Sequence, residues 1–331
     1  MKRLIAVSVL LLSGCAVTSI PLWGPSSPSS ATSPEVRRLS DVAYYSGKDA
    51  DDFRHRADLF LPRNKNDFPV VVFVHGGAWV MGDNRCCGLY SAVAEYLAKE
   101  GIGVVVPNYR LSPSVVHPEH AKDIARAIAW THAHIADYGG RPDRLFLAGH
   151  SAGGHLVALV ATDESYLKKH GLSSADIKGV IAVSGVYEIP PGKVEVRLGG
   201  AAANAVHGDE ALPLRSPTPD PLIKPFGPGI PASVDIYGPA FGSDPAVRRH
   251  ASPLAHVRPG LPPFLLVCAE HDLPTLPEMA KTFERALLEE RCDVRLLRVE
   301  KRNHNSILFM ATNAEDPVGR AMRDFIKDTT R

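Results

Sequence analysis

Six consecutive residues, Gly149-His150-Ser151-Ala152-Gly153-Gly154, constrain this chain more tightly than any other part of its sequence. They follow Arg144-Leu145-Phe146-Leu147-Ala148, a run with the composition of a buried strand, and they precede His155 to Thr162, which reads as a helix. A backbone passing from strand to helix over so few residues has to bend sharply. A side chain at Gly149 or Gly153 would crowd the bend, so both positions are small. Ser151, at the apex, is then held in a strained conformation with its hydroxyl exposed, and the free N–H groups of the helix start are aimed near it.

The same strand, loop and helix rhythm extends along the chain. Pro69 to Val74 and Gly103 to Val106 are uninterrupted apolar runs of the kind covered on both faces. Leu89 to Lys99 has helical spacing between them, and Glu119 to Tyr138 carries a stripe of Ile124, Ile128 and Ile135. Gly179 to Val183, Phe264 to Ala269 and Val294 to Val299 read as later strands, with a helix over Glu278 to Glu290. Asp41 to Tyr45 and Arg56 to Leu61 are expected as short strands ahead of them. Such alternation predicts a mostly parallel central sheet with helices on both faces. The rhythm breaks over residues 187–252, which are rich in Pro and Gly. A stretch this long without regular structure is read as an insertion walling a cleft at the carboxyl edge of the sheet, against the alternative of a surface excursion remote from the chemistry.

A serine hydroxyl becomes a nucleophile only with a base beside it and a carboxylate to orient that base. In a strand-turn-helix nucleophile of this type the chain order is serine, acid, histidine. His304 is the only histidine after position 271, and it follows the last strand in the polar loop Arg302-Asn303-His304-Asn305. It is the expected general base. Asp272, in Cys268-Ala269-Glu270-His271-Asp272 at the end of the preceding strand, is the expected acid. Glu270 is its rival, better suited to bracing the loop, and Asp244 would demand a less usual topology. The oxygen that becomes charged on attack needs waiting N–H donors. Ala152 supplies one. His75-Gly76-Gly77-Ala78-Trp79 follows the strand ending at Val74, and the N–H groups of Gly76 and Gly77 are the expected partners. Trp79 either lines the substrate pocket or anchors its loop against the core. His75 is expected to stabilise its own loop, and the scattered histidines form no metal site. No cofactor is expected.

The N-terminus has a separate role. Lys2 and Arg3 precede an apolar run from Leu4 to Leu12, too short to span a bilayer but suited to export. Leu12-Ser13-Gly14-Cys15 then resembles the bacterial lipoprotein signal, which implies cleavage after residue 14, lipidation of Cys15 and attachment to a membrane through acyl chains. Residues 15–35, rich in Ser and Pro, read as a tether, and the folded domain as residues 36–331. This organisation implies an exported, membrane-anchored protein, periplasmic or at the cell surface. With 37 Lys plus Arg against 36 Asp plus Glu, scattered rather than clustered, the chain lacks the basic footprint that nucleic acid requires. Of the five cysteines, Cys268 lies in an apolar run and reads as a buried side chain. Cys86, Cys87 and Cys292 show no disulfide framework.

Taken together, His75-Gly76-Gly77-Ala78-Trp79, Tyr109-Arg110-Leu111-Ser112-Pro113, Gly149 to Gly154, Ser184-Gly185-Val186-Tyr187, Glu270-His271-Asp272 and Asn303 to Ile307 resemble the α/β-hydrolase superfamily. The likeness is to bacterial carboxylesterases related to hormone-sensitive lipase, to feruloyl and acetyl esterases of the BD-FAE type and to kynurenine formamidase. Ala78 departs from the third Gly common in hormone-sensitive-lipase relatives and fits the feruloyl esterase and formamidase branch. The resemblance implies a serine esterase acting on short or moderately bulky small-molecule esters. An amidase of the arylformamidase type, or a noncatalytic binding lipoprotein on an inherited hydrolase scaffold, are the alternatives.

Overall fold

The computed structural model describes residues 34–192, 195–197 and 233–329. Along them run β1 (Val36–Ala43), β2 (Arg56–Pro62), β3 (Phe68–Val74), α1 (Leu89–Lys99), β4 (Gly103–Pro107), α2 (Glu119–His134), β5 (Gly140–His150), α3 (Ala152–Thr162), α4 (Ser165–Lys168), β6 (Ile177–Val183), β7 (Glu195–Arg197), β8 (Ser233–Asp235), α5 (Gly238–Phe241), α6 (Pro245–His250), β9 (Phe264–His271), α7 (Leu276–Glu289), β10 (Val294–Asn303), α8 (Ser306–Phe309) and α9 (Pro317–Thr329). The expected signal over 1–14, Cys15 and most of the tether lie outside the described residues. So does most of the predicted insertion, residues 193–194 and 198–232. Among the described residues no helix is long and apolar enough to cross a membrane.

Every residue of β3 and β4 is buried, which is why their apolar runs do not alternate. The pleat still sorts them. Val70, Val72 and Val74 of β3 join a core shared with Ile124 and Ile128 of α2, Leu156 of α3 and Phe283 of α7. Val71 and Phe73 face the opposite core, with Val93 and Leu97 of α1 and Met322 and Ile326 of α9. Helices therefore cover both faces, and each fully buried aliphatic or aromatic side chain stabilises the layering by roughly 1.5–3 kcal/mol.

The eight strands of the main sheet lie in the order β1-β2-β4-β3-β5-β6-β9-β10. β1 and β2 are antiparallel to their neighbours, and the pairs from β4 to β10 are parallel. This is the α/β-hydrolase fold, with a mixed sheet whose larger part is parallel. β3 sits between β4 and β5, so the order reverses there and a crevice opens at the carboxyl ends of β3 and β5. β7 and β8 form a separate antiparallel pair.

The short elements β7, β8, α5 and α6 lie within the stretch 187–252 expected to lack regular structure, α4 and α8 were not expected, and two larger differences concern the main sheet and its cover. The first strand is Val36–Ala43 rather than Asp41 to Tyr45: it pairs with β2 over its whole length and bulges between Leu39 and Val42, with Asp41 at φ 58°. The helix α9 was not anticipated. Its signal is present in Val318, Ala321, Met322 and Ile326, all buried on one side, and in Asp316, whose Oδ1 accepts the N–H groups of Val318 at 2.9 Å and Gly319 at 3.2 Å.

Candidate active site

Ser151 joins β5 to α3 with φ 55° and ψ −119°, a conformation that L-residues rarely adopt outside sites where surrounding packing enforces it. Here the enforcement is crowding. A Cβ added at Gly153 would lie 2.1 Å from the Val74 carbonyl oxygen, and one at Gly149 would lie 2.4 Å from the carbonyl group of Gly153. Neither position can carry a side chain while the turn keeps its shape. The Ser151 N–H is donated to the Val183 carbonyl at 2.9 Å, which fixes the apex against β6.

Because β9 and β10 lie beyond β6 in the same sheet, the connections leaving their carboxyl ends converge on this turn. His304 Nε2 is 2.9 Å from Ser151 Oγ, and His304 Nδ1 is 2.7 Å from Asp272 Oδ1. The Asp272 side chain is fully buried and that of His304 is 14% exposed. Burial alone would raise the Asp272 carboxyl, but hydrogen bonds from His304 and Ser184 outweigh it and hold the group below its ordinary value. Ser184 donates to Asp272 Oδ2 at 2.5 Å, and the N–H groups of Ala269 and Leu273 reach the two carboxylate oxygens at 3.1 and 2.9 Å. Ser184 was quoted in sequence only as part of a resembling segment. Its φ of 48° at the end of β6 shows that its backbone too is bent out of the ordinary regions.

The rivals for the acid are occupied elsewhere. Glu270 accepts the Lys301 N–H at 2.8 Å and so braces the bulged end of β10, the bracing function anticipated for it. Asp244 caps α6 by accepting the Ala246 N–H at 2.8 Å.

The loop after β3 arrives beside Ser151, as the strand order requires. A Cβ on Gly76 would lie 3.1 Å from Ser151 Cβ and 3.0 Å from the His150 carbonyl oxygen, so any side chain there would crowd the turn and force its neighbours to shift. One expectation is corrected here. The Gly76 N–H is donated to the Tyr90 hydroxyl at 2.7 Å, on α1, and is therefore not a waiting oxyanion donor. The loop then turns through three positive φ values, 118° at Gly77, 50° at Ala78 and 61° at Trp79. Among the described residues the N–H groups of Gly77 and Ala78 take no part in the backbone hydrogen bonds of this turn, and Ala152 N–H heads α3, where no intrahelical acceptor exists. Among the described residues this leaves the N–H groups of Gly77, Ala78 and Ala152 without a backbone acceptor beside Ser151.

Trp79 is turned inward, with only 3% exposure. Its indole N–H is donated to His155 Nδ1 at 3.2 Å, and its ring packs edge-on against Phe241 at 4.8 Å. These contacts are those of the anchoring alternative, and they tie the loop to α3 and to α5. His75 stacks on Tyr109 at 4.4 Å and its Nδ1 lies 2.7 Å from the Gly76 carbonyl. Burial pushes its imidazole down to about 4, so it is neutral and serves its own loop. Cys268 is buried in β9, as its apolar surroundings predict. Among the described residues no group of three or more His, Cys, Asp or Glu side chains is arranged to hold a metal ion.

A family model described as BD-FAE matches residues 57–202. The chain is 30% identical over 248 residues to the probable carboxylic ester hydrolase LipM of Mycobacterium tuberculosis, a match covering 73% of this chain and 50% of LipM. It is 29% identical over 295 residues to esterase LipQ of the same organism, covering 87% of this chain and 62% of LipQ. The chain thus spans about half the length of the curated relatives it matches. Among solved structures, esterase B from Lactobacillus rhamnosis superimposes with a TM-score of 0.67 at 20% identity, covering 90% of this chain and 89% of that one. A truncated carbohydrate esterase from gut microbiota superimposes with a TM-score of 0.65 at 17% identity, covering 89% and 97%. At these identities the structural likeness speaks for the fold.

Proposed function

We propose that this chain, an α/β-hydrolase fold with BD-FAE-like sequence over residues 57–202, is a serine carboxylesterase. The observation that carries the proposal is the unbroken line from Ser151 Oγ through His304 to the buried Asp272, at 2.9 and 2.7 Å. In the first half-reaction Ser151 Oγ attacks the ester carbonyl while His304 Nε2 takes its proton, and Asp272 stabilises the imidazolium that forms. The carbonyl oxygen gathers negative charge against the N–H groups of Gly77, Ala78 and Ala152, each such donor being worth about 3 kcal/mol in comparable sites. His304 then protonates the leaving alcohol. Water, activated by the same imidazole, releases the acid and restores Ser151.

Short or moderately bulky esters with apolar substituents suit this edge of the molecule. The exposed Phe53, Met81, Val116, Leu273, Phe309 and Met310 all lie in connections at the carboxyl ends of the parallel strands, on the same edge as Ser151. Purified protein is expected to hydrolyse p-nitrophenyl acetate and butyrate, with Ser151→Ala reducing turnover by at least about a thousandfold. Wild type without turnover, or an alanine variant equal to it, would overturn the reading.

The proposal includes export and lipidation at Cys15, supported by Lys2, Arg3, the apolar run Leu4 to Leu12 and the small residues before the cysteine. Labelled palmitate should enter the full-length protein in a bacterial host and be lost in Cys15→Ser; equal labelling of the two counts against it.

A further inference from the structure

The residue before the nucleophile is a second histidine, and the mechanism above gives it nothing to do. His150 ends β5 with 4% exposure. Its Nε2 is 2.9 Å from the main-chain carbonyl oxygen of His304, and the two imidazole rings lie 4.9 Å apart, inclined at 38°. A carbonyl oxygen only accepts, so the proton of this contact belongs to His150 Nε2 and the lone pair to Nδ1. Nδ1 is buried and has no hydrogen-bond partner. Leaving a polar atom unmatched in the interior costs on the order of 1–3 kcal/mol, a cost that packing alone would avoid by placing an apolar side chain here.

We infer that His150 is a positioning residue for His304, tying the histidine loop to the turn that carries Ser151 so that base and nucleophile move as one unit. The inference rests on the esterase reading. Its geometry is a closed clamp: the side chain of His150 holds the main chain of His304, and the side chain of His304 returns to Ser151, the next residue after His150. His304 sits between the end of β10 and the four-residue helix α8, whose Ile307 and Leu308 are buried, so the loop is anchored on one side by the core and on the other by the sheet. The backbone of His150 meanwhile faces the loop after β3, its carbonyl oxygen 3.0 Å from where a Cβ on Gly76 would lie. One residue therefore touches both halves of the reacting site. The groups facing its ring are His304 and, farther off, Asp272, and burial followed by the proximity of His304 holds His150 at about 3. It stays neutral while His304 becomes charged in turnover, so the clamp places no second positive charge beside the forming imidazolium.

The test compares His150→Leu, His150→Gln and His150→Asn with wild type and Ser151→Ala on p-nitrophenyl butyrate. A glutamine amide reaches where Nε2 stands and can donate to the His304 carbonyl; an asparagine amide stops near the Nδ1 position. Misplacement of the base by about 1 Å costs on the order of a hundredfold. The expected result is a 10- to 100-fold lower kcat in the Leu and Asn variants with KM within about twofold, and recovery to within about threefold of wild type in Gln. Should Leu fail to fold, the Asn and Gln pair carries the comparison. Wild-type kcat in folded Leu or Asn variants, or Gln no better than Asn, would overturn the inference while leaving the esterase reading intact. Loss of the esterase reading shows instead as wild type and Ser151→Ala behaving alike.

Discussion

At the level of single residues, the candidate site is held together by the hydrogen bonds around its carboxylate. Asp272 illustrates the point, with four donors on two oxygens: His304, Ser184, and the N–H groups of Ala269 and Leu273. A hydrogen bond to a charged group contributes about 1.5–3 kcal/mol. Ser184→Ala removes the side-chain donor on Oδ2, leaves the backbone donors in place, and is expected to lower kcat about tenfold with KM little changed; steady-state kinetics with an unchanged kcat would contradict this assignment. Chain order and strand ends point to Ser151 and His304 in the sequence and narrow the acid to Asp272 with Glu270 as its rival, which the contact of His304 with Asp272 separates. Tyr90 was not legible. Its hydroxyl reaches Gly76 from the next helix, and nothing in the spacing of two glycines reveals that one N–H is already bound. Ser184 was visible as a motif member but not as a partner of the acid, since their contact spans 88 positions of sequence.

Elements position these residues through the order of strands in the sheet. Placing β3 between β4 and β5 brings the loop after β3 against the nucleophile, and the run β6-β9-β10 delivers acid and base in turn. The turn from β5 to α3 is the tightest joint. With a Cβ at position 153 only 2.1 Å from the Val74 carbonyl, Gly153→Ala cannot be absorbed without moving β3 or α3. It is expected to lower Tm by several degrees or more and abolish activity together, whereas Gly192→Ala, which meets open space, should change neither. Thermal melts with both variants equal to wild type would disprove that account of the turn. The buried strands were legible because burial on both faces leaves them uniformly apolar, as in Phe68–Val74. The start of β1 is hard to read because its sequence, VRRLSDVA, alternates around a bulge and draws its stability from pairing with β2. α9 was missed because its apolar residues are diluted by charged ones on the solvent side, so only the spacing of the buried four betrays it.

For the molecule as a whole, the many interior histidines tie stability to pH. Burial lowers His75, His120 and His155 to about 4 and His117 and His150 to about 3. An imidazole with a folded value below its unfolded value near 6.5 takes up a proton on unfolding at any pH between the two. Stability therefore rises with pH through that interval and is lost as pH falls through it. Asp272, lowered from the carboxylate range, adds a loss only below about pH 4, where the unfolded carboxyl protonates. Tm is expected to be level from pH 8 to 7 and to fall continuously from about 6.5 toward 4. A melting temperature constant across pH 6.5 to 4.5 would show that these side chains are not neutral and buried as described.

The esterase account stands on Ser151 being an activated nucleophile. Mass spectrometry after treatment with a fluorophosphonate reads this directly. The account predicts one adduct per molecule, carried by the peptide containing Ser151, absent in Ser151→Ala and formed far more slowly in His304→Ala. Folded protein that takes up no adduct, or takes it up at another residue, would contradict it.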